Sequence, residues 1–210
     1  MYDCARCKVF ACENNLKKQE PDNCPMKNQE IVEASKAEYM KEENNAFFVA
    51  AAEVEAEGYC EWNRVRETIE FCKKMGYTEI GLACCTGFVK EAKILIRLFE
   101  ERGLHIHSVV CKNGGIGKEE LGVPKEALMH GEWDAACNPI GQAMYLAEEG
   151  VQFIIVMGLC VGHDSLFYKY ISKYSDAFCT TIAVKDRATG NNPCAALYCA
   201  GGYFKNQFGD

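Results

Sequence analysis

Fourteen of the 210 residues are cysteine, and their positions fall into two sets. Cys4, Cys7, Cys12 and Cys24 follow one another as C-x2-C-x4-C-x11-C in a polar stretch. A C-x2-C pair reaches one ion from a tight turn, longer loops bring in two further sulfurs, and four thiolates satisfy either tetrahedral zinc or an iron–sulfur cluster. The spacing is not that of the common zinc ribbon, and Cys24-Pro25 is like a ferredoxin ending without the ferredoxin C-x2-C-x2-C order; zinc is the first expectation and an iron–sulfur cluster the alternative. Without a ligand, four thiols here would leave the segment unfolded and open to oxidation. The second set is Cys84, Cys85, Cys111, Cys137 and Cys160, scattered along the chain. Its meaning depends on the elements that carry it.

Residues 1–30 show no hydrophobic period and contain Pro21 and Pro25, so their order has to come from something other than a core. Helices are expected over 29–39 and 46–57, and a third over 63–75 with Asn63 as N-cap and Val65, Ile69 and Cys72 on one face. From there a unit repeats: a helix ends in Gly and an apolar strand follows. Gly76 precedes the strand 77–84, Gly103 precedes 104–111, and Gly150 precedes 151–160, each strand closing on a cysteine. Gly past a helix end accepts the left-handed conformation that stops it. A last helix, 164–174, leads into the strand 177–184. Alternating helices and strands imply right-handed crossovers, and therefore a three-layer α/β domain with a mostly parallel sheet of about four strands, Rossmann-like or flavodoxin-like. The expected organisation is a Cys-rich metal-binding segment, 1–30, packed on an α/β domain, 31–210.

Ligands of open parallel sheets bind beyond the carboxyl ends of the strands. Cys84, Cys111 and Cys160 stand at those ends, Cys85 follows directly, and Cys137 precedes a helix that opens at Pro139. The partial positive charge of a helix N-terminus favours thiolate. The five sulfurs are therefore expected to share one pocket, as ligands of a second metal or iron–sulfur centre or as nucleophiles. His163 is the candidate acid–base group beside them, and Asp164 a candidate cap for the following helix. Lys185, Asp186 and Arg187 end the last strand, where a solvated loop is expected and an anion contact is the weaker reading. Cys60, Cys72 and Cys179 read as filler, and no spacing argument places Cys194 or Cys199. His105 and His107 belong to a strand entry, and His130 to a loop. KNGGIGK, 112–118, fails both nucleotide-loop patterns, since Glu120 stands where a dinucleotide fingerprint needs Gly or Ala. It reads as a flexible loop over the strand ends.

Composition bounds the partners. With 49% apolar and 25% charged residues the chain is globular in type, and its length allows a real core. That core, with no signal sequence, argues against a secreted disulfide scaffold. A formal charge of -7 gives no broad electrostatic footprint for nucleic acid or an anionic bilayer. The longest apolar run, 153–162, is about half of the roughly 20 residues of a membrane span. MYDCARCKVF has no signal-peptide core, so a cytoplasmic location is expected.

The motifs CARC with Cys12 and CPM, CTGF at 85–88, VVCKNGG at 109–115, CNPIGQA at 137–143, GLCVGHDSLF at 158–167 and VKDR at 184–187 resemble the domain of unknown function 1847 family, metal-binding proteins of archaea and anaerobic bacteria. The resemblance implies metal binding by Cys4, Cys7, Cys12 and Cys24 in an anaerobe, and implies no reaction. Two functions are then expected. The first is a redox or sensing protein with a metal at each cysteine site, served by a small molecule or redox partner. The second is a cysteine-dependent enzyme, with Cys137 or Cys160 as nucleophile and His163 as base, acting on a small electrophile.

Overall fold

The computed structural model describes residues 1–16, 18–129 and 131–209, so His130 lies outside the described residues. The chain divides into two units, Met1–Tyr59 and Cys60–Asp210.

In the first unit, α1 (Gln29–Tyr39) is capped by Asn28, whose side chain accepts from the Ile31 N–H at 3.2 Å. It packs with α2 (Glu42–Gly58). The second helix starts four residues ahead of the expected 46, because Glu42 and Glu43 suit the positive end of a helix. The Cys-rich arm carries two single turns of 3-10 helix, Cys4–Arg6 and Pro25–Lys27.

The second unit begins with α3 (Arg64–Lys74), where the Asn63 side chain accepts from the Val65 and Arg66 N–H groups, both at 3.1 Å. The repeat follows as β1 (Glu79–Cys84), α4 (Val89–Glu100), β2 (His105–Val110), α5 (Pro139–Glu148), β3 (Phe153–Leu159), α6 (His163–Tyr174), β4 (Phe178–Val184) and a short α7 (Pro193–Tyr198). All pairings are parallel, in the order β2-β1-β3-β4. The expected α/β class and its four strands are therefore observed, with ends within two residues of expectation, and Gly76, Gly103 and Gly150 each have the positive φ of a helix stop. β3 is buried along its whole length, as a strand covered on both faces must be, while the edge strands β2 and β4 are half exposed. Right-handed crossovers carry α4 to one face and α5 and α6 to the other, where the latter two pack together. The direction of strand order reverses between β1 and β3, which opens a crevice at their carboxyl ends.

Three local expectations are corrected. Gly162, not Asp164, is the N-cap of α6: Asp164 lies inside the first turn and its carboxylate accepts from the Ser165 N–H at 2.7 Å. Cys60 is exposed with φ of 59°, so it is not core filler. Residues 112–118 are tied down rather than free. Asn113 donates to the carbonyls of Val110 and Asn138 at 2.8 and 3.0 Å, the Ala136 N–H reaches the Ile116 carbonyl at 2.8 Å, and Lys118 pairs with buried Asp134 at 2.6 Å. The expected filler role holds for Cys72, which is fully buried, its thiol pushed up to about 12 by desolvation. Among the described residues no helix is long and apolar enough to cross a membrane.

Candidate thiol site at the strand ends

Backbone pairing continues past the strand ends and sets the cysteines in place. The Cys85 N–H donates to the Met157 carbonyl at 3.0 Å, the Cys111 N–H to the Cys84 carbonyl at 2.8 Å, and the Asn138 N–H to the Cys111 carbonyl at 2.7 Å. The last of these clamps the segment before α5 to the end of β2. From inside, Gln142 on α5 donates its amide to the carbonyls of Cys84 and Val109 at 3.1 and 2.7 Å. β3 bulges at Gly158, whose φ is +69°, and an added Cβ there would stand 2.2 Å from the Phe88 ring. Only glycine lets Phe88 lie against the strand at this point.

Side chains alternate across a strand, so Cys84 and Cys85 part company. Cys84 is buried, and desolvation pushes its thiol up to about 11. Cys85 turns toward Cys111, and the hydrogen bond between them, together with burial, holds Cys85 in its protonated form. Its sulfur also accepts from the Gly87 N–H at 3.4 Å. Cys111 accepts from the Thr86 N–H at 3.4 Å and stands beside Cys137, where its thiol can donate to a Cys137 thiolate. That bond, reinforced by the charge of Lys112, draws the Cys137 thiol down to about 6 against the opposing effect of burial. Lys112 is fixed by donating to the Ala135 carbonyl. The order is therefore Cys85 to Cys111 to Cys137, with the negative charge on the half-buried last member.

Cys160 stands near enough to Cys137 to oppose its ionisation, and its sulfur lies 3.6 Å from an Arg187 guanidinium nitrogen. Lys185 lies over the Phe88 ring with Nζ 4.2 Å from the centroid. The structure thus brings Cys85, Cys111, Cys137 and Cys160 to one place. It leaves Cys84 on the buried side, and among the described residues no hydrogen bond joins the His163 imidazole to a cysteine; only the His163 backbone N–H reaches the Cys160 carbonyl, at 3.0 Å.

A family model matches residues 24–182. The chain belongs to the protein family of unknown function DUF1847. It is 44% identical over 170 residues to the uncharacterized protein MJ0455 of Methanocaldococcus jannaschii, an alignment covering 81% of this chain and 82% of the relative. No solved structure matches the chain. The DUF1847 match contains Cys24 and all five strand-end cysteines, and excludes Cys4, Cys7, Cys12, Lys185 and Arg187.

In the first unit, Cys4, Cys7, Cys12 and Cys24 line one cavity of about 430 Å³ together with Phe10, Pro21 and Met26. The Phe10 N–H points at the Cys7 sulfur at 3.4 Å. Among the described residues no three Cys, His, Asp or Glu side chains form a group that could hold a metal ion as placed, here or at the strand ends. Lys112 and Gln142 are the site residues that sequence reasoning missed. A glutamine inside an otherwise apolar helix start, in CNPIGQA, is the signal that could have found the second.

Proposed function

We propose that the strand-end cysteines form a dithiol centre in which Cys137 is the nucleophile and Cys111 is its proton donor and resolving thiol. The observation that carries this reading is the clamp that sets Cys137 beside Cys111, the Asn138 N–H donating to the Cys111 carbonyl at 2.7 Å, with Lys112 fixed on the Ala135 carbonyl alongside. A thiol drawn down to about 6 is about nine-tenths thiolate at pH 7, against a few per cent for an ordinary cysteine. Toward a small disulfide R–S–S–R, the Cys137 thiolate attacks one sulfur and RS⁻ leaves. The Cys111 sulfur then attacks Cys137 while its proton goes to the second leaving group, which departs as RSH. The product is a Cys111–Cys137 disulfide. Dipyridyl disulfide tests this, because each leaving group absorbs light. Reduced protein should release two equivalents in a fast phase and show a Cys111–Cys137 disulfide by peptide mass spectrometry. Cys111→Ser should stop at one equivalent, and Cys137→Ser should lose the fast phase. A fast phase that survives Cys137→Ser refutes the assignment.

A second reading concerns the first unit and is favoured by the four cysteines on one cavity. Four sulfur donors suit zinc, or an iron–sulfur cluster. Bound metal would draw Cys4, Cys7, Cys12 and Cys24 together and order an arm that has little core of its own. Metal analysis with an absorption spectrum of anaerobically purified protein tests it. Cys7→Ser should lose the metal while Cys137 keeps its reactivity, and an unchanged metal content would overturn the reading. Visible absorption persisting in Cys7→Ser would instead point to iron at the strand ends.

A further inference from the structure

We infer that the electrophile attacked by Cys137 is an anion, its negative group seated by Lys185 and Arg187. The inference rests on Cys137 as nucleophile and adds the class of molecule it meets. The whole chain carries a formal charge of -7, yet three cations stand at the strand ends: the Arg187 guanidinium 3.6 Å from the Cys160 sulfur, Lys185 over the Phe88 ring, and Lys112 donating to the Ala135 carbonyl two residues before Cys137. Among the described residues none of the three is ion-paired with a carboxylate. Lys112 serves the Cys137 thiolate. Among the described residues Lys185 lies over the Phe88 face, with Gly87 and the protonated Cys85 beside it. Arg187 spends one nitrogen on Cys160, leaving most of its five N–H donors open.

The carboxylate between them does not neutralise them. Asp186 is turned back on its own loop, accepting from the Ala188 and Thr189 N–H groups at 2.9 and 3.1 Å. Asp164, at the start of α6, is engaged with Ser165. The Lys185 N–H donates to the Leu159 carbonyl at 3.0 Å, which fixes the base of this segment beside the end of β3, just before Cys160. Two cations thus flank the strand ends, and among the described residues no carboxylate is paired with either. A sulfonate, carboxylate or phosphate on the incoming molecule supplies the missing charge, and a planar guanidinium is the group best shaped to hold an oxyanion.

The test uses two methanethiosulfonate reagents of opposite charge, sulfonatoethyl and trimethylammonioethyl, in reduced full-length protein. The Cys137 thiolate attacks the sulfenyl sulfur, a new disulfide forms and methanesulfinate leaves, so the reaction is the same for both. Rates are read at Cys137 by peptide mass spectrometry, and the anion-to-cation ratio is divided by that for free glutathione. A ratio at least about tenfold above solution is expected, the lower end of focusing by a charged cleft. It should collapse in Lys185→Met/Arg187→Met, persist in Lys185→Arg, and shrink at about 1 M salt, where the Debye length is about 3 Å. Fast modification with no charge preference, or a preference that survives the double Met variant, overturns the anion site alone. Slow modification of Cys137 by both reagents overturns the nucleophile assignment and the anion site with it.

Discussion

Replacing Cys111 by Ala should raise the apparent pKa of Cys137 by at least about one pH unit. The hydrogen bond from Cys111 is the largest influence holding the Cys137 thiol at about 6; without it Lys112 alone must offset burial and the nearby Cys160. At pH 6 the wild-type thiol is about half ionised, and a midpoint at or above about 7 leaves at most about a tenth as thiolate. The alkylation rate at that pH therefore falls at least about fivefold, because only the thiolate reacts. The assay is iodoacetamide modification from pH 5 to 9, quantified at the Cys137 peptide, with the plateau rate at high pH as an internal reference. Cys111→Ser is the companion, since a hydroxyl still donates; it should keep most of the depression. An unmoved midpoint in Cys111→Ala, or equal midpoints in Ala and Ser, refutes the hydrogen bond as the cause.

At the opposite end of the sheet, His107 sits between Glu79 and Glu149, with its two ring nitrogens 2.7 and 2.9 Å from their carboxylates, and the Glu79 contact raises its pKa above 6.5. A raised folded value means stabilisation is full below 6.5 and fades as pH rises through the folded value, so the Tm gap between wild type and His107→Gln should be widest near pH 6 and close by pH 9; a gap that widens with pH refutes the imidazolium clamp. Gln142→Leu removes the donor to the Val109 and Cys84 carbonyls deep in the core, and should cost roughly 1–2 kcal/mol, read by urea unfolding; unchanged stability would show that the bonds contribute nothing net. Gly158→Ala combines a left-handed φ with a Cβ inside the Phe88 ring, and should cost at least about 2 kcal/mol in the same assay, with wild-type stability as the refuting result.

The α/β class was legible because its signals are local. Gly76, Gly103 and Gly150 stop helices by their own backbone freedom, and the apolar run ending at Cys160 can only be a doubly covered strand. Cysteines at strand ends could be placed on one rim by the same logic, since neighbouring parallel strands are about 4.8 Å apart. What the sequence could not say is which way each sulfur points and what holds its proton. Cys84 and Cys85 are adjacent, yet alternation buries one and turns the other to Cys111. The rigidity of 112–118 was equally hidden, because it comes from Asn113, Asn138 and Asp134, whose partners lie 16 to 25 residues away along the chain. Glycine content alone describes the freedom of such a loop, not the contacts that remove it.

The direction of the thiol chain follows from where each sulfur sits between desolvation and charge. Burial penalises the thiolate at Cys84; at Cys85 donation toward Cys111 does so first, and burial second. At Cys137 burial is partial, and a donor and an ammonium outweigh it. Charge is therefore favoured at half-buried Cys137, while Cys84 and Cys85 keep their protons. A reversed gradient, with the thiolate innermost, would place the nucleophile where no substrate enters. The cations are spread along the sulfurs: Lys112 acts on Cys137, Arg187 lies 3.6 Å from the Cys160 sulfur, and Lys185 stands over the Phe88 ring. On the proposed chemistry, the thiolate at half-buried Cys137 is the member that meets a substrate, and the charges beside it are what the paired methanethiosulfonate rates measure.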